Sequence, residues 1–260
     1  MSPTNRPAAF FDLDKTVIAG SSTLAFSQPF FRSGLLTPGG AARSIMAQLG
    51  YLTVGASHDQ MERMKDRLGQ VVRGWDVART EEIIAAALED RIRPVVYQEA
   101  IDLIAEHHAA GEDVVMVSAS SETLVRPIAE LLGVDHVIAS RGSVVDGRYT
   151  GTLDYYAYGP TKRTGIEELA RTEGYDLASS HAYSDSATDI PMLEAVGHPV
   201  AVNPDRTLRR HAAEQGWAIR DFARPVTVGP PLHRSSAALA VAGLVVGGLV
   251  GWRLLRHWRR

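Results

Sequence analysis

The stretch "AAFFDLDKTVIAG" (residues 8–20) decides the fold. Four apolar residues lead into two aspartates one residue apart, then a lysine and a threonine. Residues 8–11 show no alternation of apolar and polar positions, as expected for a central parallel strand covered on both faces. Paired carboxylates at the end of such a strand are costly, because adjacent charges in a low dielectric resist being ionised together. Either a cation lies beside them or one of them keeps a proton.

Downstream the pattern changes. From Ser21 to Arg93 apolar residues recur at helical spacing, with helix-start signals at Ser22, after Pro38, at Ser57 and near Thr80, which predicts an all-helical insert. From Pro94 strands and helices alternate. A helix running to Ala110 is stopped by Gly111; "DVVMVSAS" (113–120) reads as a buried strand, and a helix from about Ser121 to Leu132 is closed by Gly133. A strand at 136–140 precedes a hairpin centred on Asp146-Gly147. A helix over 161–173, a strand at 181–184, a helix to Val196, a strand at 199–203 and a helix from Asp205 complete the set. Such alternation implies an α/β fold with a doubly wound, mostly parallel sheet. We therefore expect an α/β core over 1–20 and 94–221, a helical cap over 21–93, a linker over 222–234 and an apolar helix over 235–255.

Composition narrows the function. The 260 residues carry a net charge of -3 with scattered basic residues, so no nucleic acid partner is expected. The absence of cysteine excludes disulfides, thiolate zinc sites and a cysteine nucleophile. No secretory signal is read at the N-terminus. Residues 235–252 are uncharged and precede "RLLRHWRR", the pattern of a membrane-associated helix near the lower length for spanning roughly 30 Å of hydrocarbon. Gly243, Gly247 and Gly251 would share one face of it and allow self-association. The catalytic part is expected to be cytoplasmic, attached to the membrane by this helix.

In a doubly wound sheet, ligands bind at the carboxyl ends of the strands. Four polar segments fall there: Asp12, Asp14 and Thr16; Ser118 with Ala119; Lys162; and Asp185 with Asp189. Asp12, Asp185 and the backbone carbonyl of Asp14 form a sparse oxygen set suited to Mg2+. With Asp12 held ionised by metal and lysine, Asp14 can carry a proton, and the pair divides into nucleophile and general acid/base. A phosphomonoester suits this site. Asp12 attacks phosphorus, Asp14 protonates the leaving alcohol, and Ser118, Lys162 and backbone N–H groups including that of Ala119 meet the phosphoryl charge. Asp189 is a further ligand or orients a metal-bound water.

These segments resemble the four motifs of the haloacid dehalogenase (HAD) superfamily of aspartate-nucleophile phosphatases: "FFDLDKTVI", "VVMVSAS", "GPTKRTGIEEL" and "AYSDSATDIPMLEAVG". The likeness spans about residues 8–220, and a helical insert after the first motif resembles the cap of subfamily IB, the phosphoserine-phosphatase-like branch. It implies a cap that closes over the site and selects the substrate.

Three positions depart from that branch. No carboxylate stands near Ser21, where phosphoserine phosphatases hold the substrate ammonium; Thr188 replaces a common Asn; and Lys15 replaces a small residue. A lipid phosphate or lipid precursor therefore competes with phosphoserine or another small metabolite as the expected substrate, and Arg43, Arg63 and Arg67 are candidate anion contacts. Rival readings are a membrane-tethered regulatory protein using the site only to bind, a receiver-type signalling module, dehalogenation, and phosphotransfer to an acceptor other than water. Asp14 argues against dehalogenation, and the helical insert against a receiver.

Overall fold

Residues 6–36, 66 and 69–226 are described by the computed structural model of the protein. Strand β1 (Ala8–Phe11) is wholly buried, and its two faces feed two separate cores. Ala9 and Phe11 face one cluster, Ala8 and Phe10 the other. That is why the sequence of β1 shows no alternation: both sides of the pleat are apolar because both are covered. Burying a side chain the size of Phe10 or Phe11 contributes about 1.5–3 kcal/mol. β1 is thus anchored on both faces.

The first cluster holds α1 (Ser22–Arg32), α2 (Val77–Arg91), α3 (Gln98–Ala109) and α4 (Glu122–Leu132), through Phe26, Ile84, Leu103 and Ile128 among others. The second holds α5 (Pro160–Glu173), α6 (Ile190–Leu193) and α7 (Arg206–Gln215), through Ile166, Met192 and Leu208. Between these layers lies a seven-stranded sheet. Its remaining strands are β3 (Asp113–Ser121), β4 (His136–Val145), β5 (Arg148–Tyr155), β6 (His181–Ser184), β7 (His198–Val202) and β8 (Ala218–Arg220), in the order β5-β4-β3-β1-β6-β7-β8. Every pairing is parallel except β4 with β5, the hairpin whose Asp146-Gly147 turn has φ of 49° and 72° at its two residues. β1 is central, so Asp12 emerges at mid-sheet.

The elements differ from expectation in four places, one of them the edge strand β8, which follows the last expected helix. Pro94 lies in a 3₁₀ turn (Arg93–Val95) that leads into a two-residue strand, β2 (Val96–Tyr97), before α3 starts at Gln98. A proline at the second position of a turn has no N–H to lose, so this break costs little. The helix expected up to Val196 is a 3₁₀ turn (Ala187–Asp189) followed by the short α6. The stretch read as a linker begins on the domain: Phe222 is buried, Asn203 Oδ1 accepts from its N–H at 2.8 Å, and β9 (Pro225–Val226) pairs antiparallel with β2.

In the insert, the expected start near Ser22 is borne out with Ser21 as N-cap, its hydroxyl accepting from the Leu24 N–H. Asp76 caps α2 in the same way, four residues before the signal read at Thr80. α1 packs on α2, and Trp75 lies 5.0 Å from the Phe30 ring. The signals after Pro38 and at Ser57, the arginines Arg43, Arg63 and Arg67, and the segment 235–255 with Gly243, Gly247 and Gly251 lie outside the described residues. Among the described residues no helix is long and apolar enough to cross a membrane.

Candidate active site

Asp12 leaves β1 with its N–H donating to Tyr183 O at 2.9 Å, which continues the β1–β6 ladder one residue past the strand. Its carboxylate is buried. Lys162, also buried, donates to Asp12 Oδ1 at 2.6 Å and to Asp189 Oδ2 at 2.7 Å. Asp189 Oδ2 accepts a further bond from Ser184 Oγ at 2.7 Å. Thr16 Oγ1 lies 3.5 Å from Asp12 Oδ2. Side chains from β1, α5 and the β6–α6 turn thus converge on one point.

Backbone geometry makes this convergence. After Asp14 the chain folds back through Lys15, whose φ of 62° is left-handed for a side-chain-bearing residue and costs roughly 1–2 kcal/mol. The Lys15 N–H donates to Gly20 O at 3.1 Å, closing the loop. That turn brings the Ser22 N–H to Asp14 Oδ1 at 2.9 Å. On the other side, Gly159 precedes α5 with φ 56° and ψ -125°, a conformation that favours glycine, and so aims the first turn carrying Lys162 at the sheet edge. A register shift between Ser118 and Ser121 of β3 opens the strand end there. Ala119 O accepts from Ser140 Oγ at 2.7 Å, and Ser118 Oγ accepts from the Ser120 N–H at 3.2 Å.

The structure places Asp12, Asp14, Thr16, Ser118, Ala119, Lys162, Asp185 and Asp189 at the carboxyl ends of β1, β3 and β6 or at the start of α5. Asp189 departs in one respect. It closes a 3₁₀ turn and serves as a second partner of Lys162. Three contributors went unread in the sequence: Ser22, Ser120 and Ser184. Ser120 Oγ lies 2.9 Å from Ser22 Oγ and 3.5 Å from Asp14 Oδ2. The available signal was the hydroxyl density of "GSST" (20–23) and of "SASS" (118–121) at the end of β3, and the serine directly before Asp185.

The electrostatics are lopsided. Burial, reinforced by Asp189, Asp185 and Asp14, pushes the Asp12 carboxyl well above its ordinary range against the pull of Lys162. Burial likewise raises Asp14, opposed by its bonds from Ser22, and pushes Asp185 up to about 7 despite Lys15. Lys162 stays an ammonium, because Asp12 and Asp189 outweigh its burial. Four carboxylates surround one buried cation, with Lys15 at the rim 4.0 Å from Asp185. Asp189 Oδ1 is buried without a hydrogen-bond partner. A hard divalent cation fits this donor set: every candidate ligand atom is oxygen, and positive charge is what the cluster lacks.

Comparison with known proteins agrees with this geometry. The family model of haloacid dehalogenase-like hydrolases matches residues 9–194. A probable phosphatase of Mycobacterium tuberculosis strain H37Rv is 50% identical over 263 residues, covering 99% of this chain and 92% of that protein. A phosphoserine phosphatase of the same organism is 32% identical over 255 residues, covering 96% and 82%. A solved substrate-bound phosphoserine phosphatase shares the fold at a TM-score of 0.60 and 21% identity, covering 86% of this chain and 95% of that one. With its four motifs gathered at one sheet edge, the chain belongs to the haloacid dehalogenase-like hydrolases, as a phosphatase of the phosphoserine-phosphatase-like branch.

Proposed function

We propose that the protein is a magnesium-dependent phosphomonoester hydrolase working through an aspartyl-phosphate at Asp12. The observation that carries this is the Lys162 ammonium bridging Asp12 and Asp189, with Asp14 held separately by Ser22. That arrangement gives two neighbouring carboxyls different environments, which is what divides nucleophile from acid/base.

An oxygen of Asp12 attacks phosphorus as the bond to the substrate alcohol breaks, and protonated Asp14 gives its proton to the leaving oxygen. Asp14, now a carboxylate, takes a proton from water, which attacks the same phosphorus. The Asp12–phosphorus bond breaks, releasing inorganic phosphate and regenerating both groups. Lys162, the Ser118 hydroxyl and the backbone around Ala119 would bind the phosphoryl oxygens, with Thr16 beside Asp12. Asp12, Asp185 and the Asp14 carbonyl would hold Mg2+, with Asp189 positioned as an additional or outer partner. When bound, the ion supplies charge neutralisation and polarises the phosphoryl group.

Residues 21–93 would act as a helical cap over this edge, in agreement with α1 and α2 joining the core beside it. The substrate is a small phosphomonoester or a lipid phosphate. The relative named a phosphoserine phosphatase supports the first, whereas α1 has no acidic residue in its first turn to hold an ammonium. The lipid reading, membrane attachment and a cytoplasmic catalytic domain rest on the sequence of 235–252. A screen of phosphorylated metabolites and lipid phosphates with full-length protein and a chain ending after Val226 separates them. Equal activity of both on soluble substrates removes the lipid reading. Magnesium-independent hydrolysis, or full activity in Asp12→Asn, removes the mechanism.

A further inference from the structure

The amino end of the same sheet carries a second polar cluster. His107 lies in the last turn of α3, Glu112 just ahead of β3, and His181 and His198 begin β6 and β7. At about 3.3 Å per strand residue, His181 stands roughly 13 Å from Asp185 along the chain. His107 Nδ1 is 2.6 Å from Glu112 Oε2, and His181 Nδ1 is 4.0 Å from the same oxygen. One donor atom from each of the three residues lies within 4.8 Å of the others.

The buried His107 ring is held from its far side: its Nε2 is 2.8 Å from the Tyr183 hydroxyl. When Nε2 carries the proton and donates to that oxygen, the Nδ1 lone pair faces Glu112. An imidazole lone pair and a carboxylate oxygen at 2.6 Å repel unless a proton or a cation lies between them. A proton there would satisfy His107 and Glu112 but leave His181 Nδ1, which is buried without a hydrogen-bond partner, unanswered. A metal ion would satisfy all three.

We propose that His107, Glu112 and His181 form a second metal site, taking a borderline divalent ion of the zinc class. Two imidazoles and one carboxylate are the donors such an ion prefers, whereas magnesium prefers oxygen alone. Tetrahedral coordination at about 2.0–2.1 Å places ligand atoms about 3.3 Å apart. The His107–Glu112 contact then widens by about 0.7 Å and the His181–Glu112 contact closes by about the same, both by side-chain movement. The Tyr183 hydroxyl is the outer partner that fixes the first imidazole. A groove of about 760 Å³ lined by His107, His181, Tyr183 and His198 gives an entry path and room for a water as fourth ligand. Bound there, the ion ties the end of α3 to the start of β6.

The test is a zinc titration of the full chain in excess magnesium, followed by bound metal and by thermal unfolding, with Co2+ as a spectroscopic probe of nitrogen ligation. One Zn2+ per chain should bind and raise the Tm, and Asp185→Asn should retain it. His181→Ala and Glu112→Gln should weaken binding at least about tenfold and lose the Tm shift, while Tyr183→Phe weakens it about tenfold. Magnesium-dependent turnover of an aryl phosphate should stay within about twofold in His181→Ala, since His181 lies at the other end of the strand. No zinc binding in excess magnesium, zinc binding lost in Asp185→Asn, or binding unchanged in both His181→Ala and Glu112→Gln overturns the proposal. Failure of zinc binding would leave the aspartate site untouched, so the two readings stand or fall separately.

Discussion

The two ends of the parallel strands carry opposite kinds of polar cluster. At the carboxyl edge, Asp12, Asp14, Asp185 and Asp189 crowd around the single buried ammonium of Lys162, and burial, reinforced by the neighbouring carboxylates, pushes Asp12 and Asp185 upward. At the amino edge, two imidazoles, His107 and His181, meet the single carboxylate of Glu112. The first edge offers oxygen alone and suits magnesium; the second mixes imidazole nitrogen with oxygen and suits an ion of the zinc class. A strand end can therefore gather polar groups without doing chemistry, and charge left unbalanced, rather than polarity itself, marks the reactive edge.

The contrast is broken most directly by neutralising its centre. Asp12→Asn should lower magnesium-dependent turnover of an aryl phosphate on the order of 10⁴-fold or more, because an amide cannot form the acyl phosphate. Mass spectrometry of rapidly quenched enzyme should lose the phosphorylated species along with the activity. Residual turnover within tenfold of the unchanged chain would show that the carboxyl edge is not the reacting one.

Removing the cation comes next. Lys162→Met leaves two buried carboxylates without their shared partner, a change expected to cost about 3–5 kcal/mol. Glu112→Gln, at the edge where the carboxylate meets two imidazoles, should cost about 1–2 kcal/mol. Urea unfolding of both variants, with and without magnesium, measures the difference. Magnesium should restore part of the loss in Lys162→Met and none in Glu112→Gln. Equal losses would mean that the two edges are held by the same forces.

The pH response sharpens the point further. Burial pushes the native Asp185 carboxyl up to about 7, so the folded chain binds that proton more tightly than the unfolded one. Its contribution to metal-free stability is fully present below about pH 4 and is lost as the pH rises through about 7. Magnesium binding runs the other way, since it needs the carboxylate. Affinity should rise by up to about tenfold per pH unit between pH 5 and 7 and flatten above. The Tm difference between magnesium-loaded and metal-free protein should widen over that range. A gap that stays constant with pH would contradict the assignment of Asp185 to the cation.

Much of this was legible in the residues. The uninterrupted run in β1, the Asp146-Gly147 hairpin and the glycine stops at Gly111 and Gly133 each have one dominant local cause, and each is where expected. The four chemistry-bearing segments were found because a doubly wound sheet sends every strand end to one edge. What escaped were features set by tertiary contact. Nothing in "RPVVY" announces a strand, because β2 exists by pairing with β9, more than a hundred residues on, and with Ile18, almost eighty residues back. Asp189 could not be assigned to Lys162 without knowing how Gly159 turns α5 toward it. His107 and Glu112 are five residues apart, but His181 joins them only because α3 ends beside the start of β6.

The hydroxyls around Asp14 offer the finest version of the comparison, because they adjust a carboxyl without changing any charge. Asp14 has one firm donor, the Ser22 N–H at 2.9 Å, and one distant one, Ser120 Oγ at 3.5 Å, which is also shared with Ser22 Oγ at 2.9 Å and Thr23 Oγ1 at 3.4 Å. A bond at 3.5 Å lies at the outer limit of useful geometry, so its loss is worth a few tenths of a kcal/mol, or about twofold in rate. The direction is more informative than the size. A donated hydrogen bond favours the carboxylate form, so Ser120→Ala should raise the Asp14 carboxyl slightly above where burial already holds it. A more protonated Asp14 remains a good acid for the leaving alcohol but a poorer base for the attacking water. We therefore expect kcat/KM to stay level while kcat falls by about twofold, with more of the enzyme trapped as aspartyl phosphate at steady state. Equal falls in kcat and kcat/KM would instead place Ser120 in contact with the phosphoryl group, and the hydroxyls of this edge would then bind substrate rather than tune the acid.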